Sequence, residues 1–171
     1  MEFIWARRET ATRYYGNHIF KSIGSGINIS NGYAIADPIN YSPTDETDIY
    51  DNRIENHTNC GIGLSEGHMR TKVHRNDISD CNINLRLHKM DQSGETNRSG
   101  YVYRNRFWLP TGVGSHFYFH FYNVSPDTYH PVHWIYNNSF SGGDFGLMVS
   151  GYAYGSGGLP NVIVKIKPDY R

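Results

Sequence analysis

One five-residue element recurs five times along the chain, and this repeat limits the folds that the chain can adopt. The element is an aromatic residue or His, any residue, Asn, any residue, and then Ile or Phe. Its Asn residues are Asn17, Asn52, Asn76, Asn105 and Asn138. They are 35, 24, 29 and 33 residues apart, which is typical of a minimal unit with loops of different length inserted. A rigid helical repeat of fixed length is therefore excluded.

Alternating apolar residues follow each Asn and predict a second strand in every repeat. A period of two is the period of a β-strand, so the residues between these positions are expected on the opposite face of the sheet. Each repeat is predicted to be a strand, an Asn turn and another strand. The apolar positions are Ile27 and Ile29; Ile62 and Leu64; Ile83, Leu85 and Leu87; Phe117, Phe119 and Phe121; and Phe145, Leu147 and Val149.

The composition also indicates an all-β chain with many turns. Leu and Ala together supply only 11 residues, whereas Gly, Asn and Tyr supply 18, 16 and 14. Good helix formers are therefore scarce, and residues that favour turns and strands are abundant.

Charge and hydropathy exclude several classes of partner. The chain has 16 Lys and Arg against 16 Asp and Glu, so it lacks the basic excess that nucleic-acid binding requires. No stretch approaches the roughly 20 apolar residues that cross a bilayer, and the first residues lack the apolar core of a signal peptide. Neither a nucleic acid nor a membrane is predicted as a partner.

From residue 13 to about residue 151 the repeats resemble the right-handed parallel β-helix family. This is the architecture of pectate-lyase-like carbohydrate enzymes and of many secreted or phage surface proteins. The resemblance implies a solenoid of about five coils with inserted loops, in which the five Asn form a ladder through their side-chain amides. Asn tolerates a left-handed backbone at a tight bend and both donates and accepts hydrogen bonds, so we expect the repeated Asn to occupy that bend.

A β-sandwich or a β-propeller would also explain the composition, but neither accounts for the repeated Asn. A propeller blade needs four strands and roughly 40 residues. The 24 residues between Asn52 and Asn76 are too few. The parallel β-helix is therefore the favoured fold.

The chain is expected to form a single β-helix domain or a segment of a longer protein. Residues 1–12 are predicted as a lead-in with a short amphipathic turn, 13–151 as the coils, and 152–171 as the start of a further coil. Inserted loops are predicted at 37–48, 90–99 and 125–131. Because neither end supplies a cap for its open strand edges, the remainder of a longer β-helix is an expected partner.

Cys60 and Cys81 occupy similar sequence contexts, which predicts that they stack on adjacent coils. A strand spacing of about 4.8 Å is within the range of a disulfide, but a pair of buried free thiols is the favoured interpretation. No cofactor is predicted. The two Cys lack metal-ligand spacing, and the family's Asp-rich calcium motif is missing from the sequence.

A basic, His-rich patch is predicted on the outward face of the second strand. If Leu85, Leu87 and the Phe residues from 117 to 121 face inward, the residues between them face outward on neighbouring coils. Lys89 follows directly after the strand. The patch consists of Arg86, His88, Lys89, His116, Tyr118 and His120.

The resemblance implies a chemistry for this patch. Acidic polysaccharide lyases of the β-helix family use Arg or Lys to neutralise a uronate carboxylate, and His, Lys, Arg or Tyr to move a proton. Removing that proton requires stabilisation of the enolate and a base with an accessible pKa, such as His. We therefore expect an acidic polysaccharide to be bound, and cleaved or epimerised, on this face. The implied catalytic residues are Arg86, His88 and His120, and the implied substrate-binding residues are Lys89, His116 and Tyr118.

Other functions stay open at this point. A non-catalytic glycan-binding module would use exposed rings such as Tyr118, Trp108 and Trp134. A structural or adhesion segment would have no binding site and would serve only through its shape. A glycoside hydrolase needs paired carboxylates, but the outward positions offer only Glu66 and Asp144, on non-adjacent coils. The residues predict no location, whereas the family resemblance suggests a secreted or cell-surface protein.

Overall fold

Strands in parallel sheets account for all the regular structure that the computed structural model describes. The described residues are 4–7, 12–30, 47–65, 71–88, 100–111, 115–122 and 134–152. At 5–7, 30, 65, 88, 115, 117, 119–122 and 149–152 the description covers the backbone only. Within these ranges the chain forms sixteen strands and no helix, so none of them provides a helix that could span a membrane. The predicted all-β class is confirmed.

The strands form three sheets, here called A, B and C. Sheet A contains β1 (Ile4–Arg7), β4 (Ile27–Ser30), β7 (Cys60–Ser65), β10 (Ile83–His88), β13 (Ser115–Tyr122) and β16 (Phe145–Tyr152) in that order. Sheet B contains β2 (Arg13–Tyr15), β5 (Asp48–Tyr50), β8 (Lys72–His74), β11 (Tyr101–Tyr103) and β14 (Trp134–Tyr136). Sheet C contains β3 (His18–Ser22), β6 (Arg53–His57), β9 (Asp77–Ser79), β12 (Arg106–Trp108) and β15 (Ser139–Ser141).

Successive strands lie in sheets A, B and C in turn, so every third strand returns to the same sheet beside its predecessor. All the neighbouring strands pair in parallel. One departure from the sequence prediction occurs within residues 1–12. Instead of a turn, Ile4–Arg7 forms strand β1, which pairs with β4 from Ile4↔Ile27 to Arg7↔Ser30.

Each sheet contributes a row of buried apolar side chains to a single core. Alternation places these residues on the inner face of each strand, where parallel register stacks them on one another. Burying each such side chain stabilises the fold by about 1.5–3 kcal/mol. The rows are Ile27, Ile62 and Leu85 in sheet A; Ile49, Val73, Val102 and Ile135 in sheet B; and Ile19, Ile54, Ile78 and Phe107 in sheet C.

The five repeated Asn form a continuous hydrogen-bonded column between sheets B and C, hereafter the Asn column. Each Asn donates from its Nδ2 to the Oδ1 of the next, over 2.9 Å from Asn17 to Asn52 and from Asn52 to Asn76, and over 3.0 Å for the two later pairs. Each backbone N–H donates to the same Oδ1. Asn76 also donates to the backbone carbonyl of Ile49 over 2.9 Å. The column therefore satisfies the polar groups of a buried turn.

The left-handed residue of this turn is not the Asn itself, as the sequence led us to expect. It is the residue before each Asn: Gly16, Asp51, Arg75, Arg104 and Asn137, with φ between 53° and 67°. A second series of left-handed residues lies four positions after each Asn: Lys21, Asn56, Asp80, Leu109 and Gly142. Each sheet C strand thus begins and ends beside a left-handed bend. Arg side chains disfavour this conformation, and the hydrogen bonds of the Asn column lie directly beside the bends at Arg75 and Arg104.

The aromatic or His position of the repeat forms a second column, on the outer face of sheet B. Neighbouring ring centroids are 4.8–5.2 Å apart, and their planes differ by no more than 6°. Parallel register explains the stack, because it holds equivalent side chains about one strand spacing apart. The rings belong to Tyr15, Tyr50, His74, Tyr103 and Tyr136.

Substitution of Asn76 tests the Asn column. We expect Asn76→Ala to lower the free energy of unfolding by about 3 kcal/mol, because it leaves buried backbone and amide groups of neighbouring repeats without partners. Asn17→Ala is the matched control at the half-buried end and should cost about 1 kcal/mol, since the Asn17 backbone N–H still donates to Asn52. Urea denaturation measures both, and equal losses would contradict the account.

Candidate functional site

The outer face of sheet A carries one row of side chains that the parallel register aligns. The row runs through Asn28, Gly63, Arg86, Tyr118 and Met148, one residue from each of five adjacent strands. Leu85 and Leu87 alternate with Arg86 and are buried in the core. The row therefore faces away from the core, and its Arg86, Tyr118, Asn28 and Met148 side chains are half-buried.

The backbone brings together four of the six predicted site residues. Arg86 pairs in register with Tyr118, and His88 pairs with His120 on the same two strands, β10 and β13. The side chains of His88 and His120 lie outside the described residues, as does the whole of Lys89. The catalytic and substrate-binding roles of these residues stay predictions.

His116, in contrast, does not face outward with Arg86 and Tyr118. Its side chain is buried, with 1% relative exposure. Asn84 Nδ2 lies 3.1 Å from its Nδ1, its Nε2 bonds the carbonyl of Gly142, and its ring packs against Phe140. Simple alternation fails here because the left-handed turn at Gly142, before β16, encloses the start of β13. The prediction of an outward His116 is therefore wrong.

Two glycines mark the same enclosed corner in the neighbouring strands. In the parallel register, His116 is aligned with Asn84, Gly61 and Gly26 on the neighbouring strands. Asn84, Gly61 and Gly26 each directly precede one of the paired core residues Leu85, Ile62 and Ile27. A Cβ on Gly61 would collide with Cγ2 of Ile78 and lie 2.7 Å from the carbonyl oxygen of Asn84. Glycine at equivalent positions of two repeats was thus the sequence signal that this column is enclosed.

The corner glycine offers a test of how closely the strands that carry the site are packed. We expect Gly61→Ala to destabilise the fold by about 1–3 kcal/mol, because a backbone carbonyl cannot move aside as a side chain would. Gly146→Ala is the control at the other end of the column, where the new Cβ would meet Phe140 at an ordinary 3.5 Å. Thermal denaturation should show a lower Tm for the first variant only. An unchanged Tm in Gly61→Ala would contradict the close packing.

Arg86 has an unusual electrostatic setting. Its Nε is buried and has no hydrogen-bond partner in the described part of the chain. The nearby guanidinium acts to lower the pKa of the Cys60 thiol, but burial outweighs this effect and raises that pKa overall. Cys60 is therefore a neutral thiol, 3.0 Å from the Ser25 hydroxyl. A neutral Cys60 supplies no negative charge beside Arg86.

Both cysteines are free and buried, which confirms the favoured interpretation of the pair. Their expected alignment is wrong, because Cys60 pairs in register with Ile83 and not with Cys81. The turn before β10 places Cys81 two residues ahead of that pairing. Burial raises the pKa of Cys81 to about 12, so its thiol is also neutral. Among the described residues, no group of three or more His, Cys, Asp or Glu could hold a metal ion.

The rings considered for a non-catalytic binding module lie on three different sheets. Tyr118 is on β13 of sheet A, Trp134 on β14 of sheet B and Trp108 on β12 of sheet C. Trp108 donates from its indole N–H to Asp77 over 2.7 Å and lies under the Arg106 guanidinium. These three rings therefore do not form one platform for a sugar chain.

The two carboxylates considered for glycoside hydrolysis form no described pair. Asp144 is exposed just before β16, and Glu66 lies outside the described residues.

Comparisons with protein-family models, curated proteins and solved structures found no match to the chain. The function proposed for the chain rests on the geometry of sheet A.

Proposed function

We propose that the chain is a right-handed parallel β-helix of the pectate-lyase-like kind and binds an acidic polysaccharide on the outer face of sheet A. Support for the β-helix comes from the three parallel sheets that the chain visits in turn and from the Asn column that links successive repeats. The handedness follows the general rule that crossovers between parallel strands are right-handed in about 98% of cases.

The binding proposal is supported by the Arg86 guanidinium, whose buried Nε has no hydrogen-bond partner among the described residues. A half-buried Arg without a carboxylate partner is energetically costly, and an anionic ligand would remove that cost. Its planar fork matches a carboxylate in two parallel hydrogen bonds. Tyr118, in register on the next strand, adds a hydroxyl that can donate to or accept from a sugar. A uronate is the sugar unit that offers both a carboxylate and hydroxyl groups.

A β-elimination at this face would follow from the same arrangement. Arg86 would hold the uronate carboxylate, and His88 or His120 would take the proton from the adjacent ring carbon. The electron pair would enter the carboxylate as an enolate and then form a carbon–carbon double bond as the glycosidic oxygen leaves and takes up a proton. Arg86 stabilises the charge that develops in the enolate, which lowers the barrier. Epimerisation would use the same first step and return the proton to the opposite face.

A matched pair of ligands tests the binding proposal. We expect polygalacturonate to bind at least tenfold more tightly than its methyl ester in isothermal titration calorimetry, because esterification removes the carboxylate charge. Arg86→Ala should weaken binding of the acid form by about ten- to a hundredfold, the value of a charged hydrogen bond, and Arg86→Lys should restore only part of it. Arg106→Ala, on sheet C, is the control and should bind as the unsubstituted protein does.

The outcomes separate binding from catalysis. Unsaturated product that appears with the unsubstituted protein and disappears in Arg86→Ala and His88→Ala would establish elimination. Binding without product would make the chain a non-catalytic binding module at the same face. Equal affinity for the acid and the ester, or full affinity in a folded Arg86→Ala variant, would overturn the proposal.

A further inference from the structure

Two buried imidazoles connect neighbouring strands where sheet C passes into sheet A. His57 ends β6 and is 2% exposed. The backbone N–H of Ser22 donates to its Nδ1 over 3.2 Å, and the Ser22 hydroxyl lies 2.8 Å from the same atom. Its Nε2 lies 3.3 Å from the carbonyl oxygen of Ile19. A single ring thus joins β6 to two residues of β3.

His116 makes the same kind of bridge on β13. Asn84, before the site-bearing part of β10, donates from Nδ2 both to Nδ1 of His116 and to the carbonyl of Trp108. On the other side of the ring, Nε2 faces the carbonyl of Gly142. This bridge therefore joins β10, β13 and the turn that leads to β16.

The hydrogen-bond partners of the two rings determine their protonation state. A backbone N–H can only donate, so Nδ1 of His57 must accept and carry no proton. The two carbonyl acceptors of His57 and His116 require a proton on Nε2. Each ring is therefore the neutral Nε2–H tautomer, and a second proton on Nδ1 would turn an attractive contact into a donor facing a donor.

The surroundings offer no charge that would stabilise a protonated ring. Burial lowers the pKa of His57 and of His116, and the backbone carbonyl that each ring contacts offsets only part of this effect. No charged side chain of the described residues contributes to either shift. The titratable groups on the packed elements are His18 and Lys21 on β3, Cys60 on β7, Asp77 on β9, Asp80 and Cys81 before β10, Arg86 and His88 on β10, Arg106 on β12, Asp144 before β16, Tyr152 on β16, and Arg53, Glu55, Tyr118, His120 and Tyr122 on the strands of the two rings themselves.

We propose that His57 and His116 are acid-sensitive bridges, His57 between β3 and β6 of sheet C and His116 between β10 and β13 of sheet A. They hold these strands together at neutral pH and release them when they are protonated. Asn84 and His116 each lie two residues before a site residue, Arg86 on β10 and Tyr118 on β13. Loss of the His116 bridge would therefore free the start of both strands that carry the candidate site. The consequence for ligand binding rests on the proposed function, whereas the bridges themselves do not.

The direction of the pH effect follows from proton linkage. Because each pKa is lowered in the folded state, the open state binds more protons below the ordinary His value of about 6.5. The stabilisation is fully present above that pH and is lost as the pH falls from about 6.5 through the lowered pKa. Each imidazole can raise the population of its open state by up to tenfold per pH unit in that window.

Amide hydrogen exchange at pH 7 and pH 5 tests the bridges directly. After correction for intrinsic exchange, we expect the Ser22 amide of the unsubstituted protein to open more often at pH 5, by up to about tenfold for each pH unit below 6.5. In His57→Gln, which lacks the titrating ring, the pH dependence should disappear. His18→Gln, which changes an exposed His on β3, should leave it intact.

If His57→Gln does not fold, NMR titration of the unsubstituted protein provides a second test. NMR titration of the unsubstituted protein should show both imidazoles as Nε2–H tautomers at neutral pH, with midpoints below 6.5. Midpoints at or above 6.5, or a Ser22 amide whose corrected exchange is the same at both pH values, would overturn the proposal.

Ligand binding separates this inference from the proposed function. Arg86 and a uronate carboxylate both stay charged between pH 7 and pH 5, so loss of polygalacturonate binding in that window that is prevented by His116→Gln would support the bridges. A folded His116→Gln variant that still loses binding would contradict control of the site by His116. Failure of polygalacturonate to bind at pH 7 would overturn the proposed function, and the exchange and titration measurements would still decide the bridges.

Discussion

The hydrogen bonds of the Asn column connect each repeat of the chain to the next. Each link satisfies a backbone N–H and a side-chain amide that would otherwise be buried without partners, a cost of about 1–3 kcal/mol per group. The column also holds the left-handed bends at residues such as Arg75 and Arg104, which their side chains disfavour. With these turns in place, parallel register stacks the apolar rows, the rings on sheet B and the outer row of sheet A.

The fold could be predicted in outline because its determinants are local and repeated. The spacing of the Asn, the alternation after each Asn and the composition all indicated parallel strands linked by similar turns. The second bend could not be predicted, since the residues that occupy it range from Gly142 to Lys21 and Leu109 and share no type. The pairing of Cys60 with Ile83 also could not be predicted, because the number of residues in the corner between sheets C and A differs from one repeat to the next.

The candidate site could be predicted only where simple alternation holds. In mid-strand, Arg86 and Tyr118 lie together on the outer face, as period two requires. At the strand start, His116 is enclosed by a turn whose geometry depends on a left-handed residue that alternation does not encode. The Nε of Arg86, which has no partner among the described residues, was also beyond the sequence, because its surroundings depend on which groups approach the guanidinium in three dimensions.

If buried Asn side chains connect the repeats, their side-chain amide protons are protected, and NMR exchange measures this protection. We expect the Nδ2 protons of Asn52, Asn76 and Asn105 to exchange at least about a hundredfold more slowly than those of the exposed Asn137, because their exchange requires opening of buried turns. Exchange of the Asn76 Nδ2 protons as fast as those of Asn137, in a folded protein, would contradict the account.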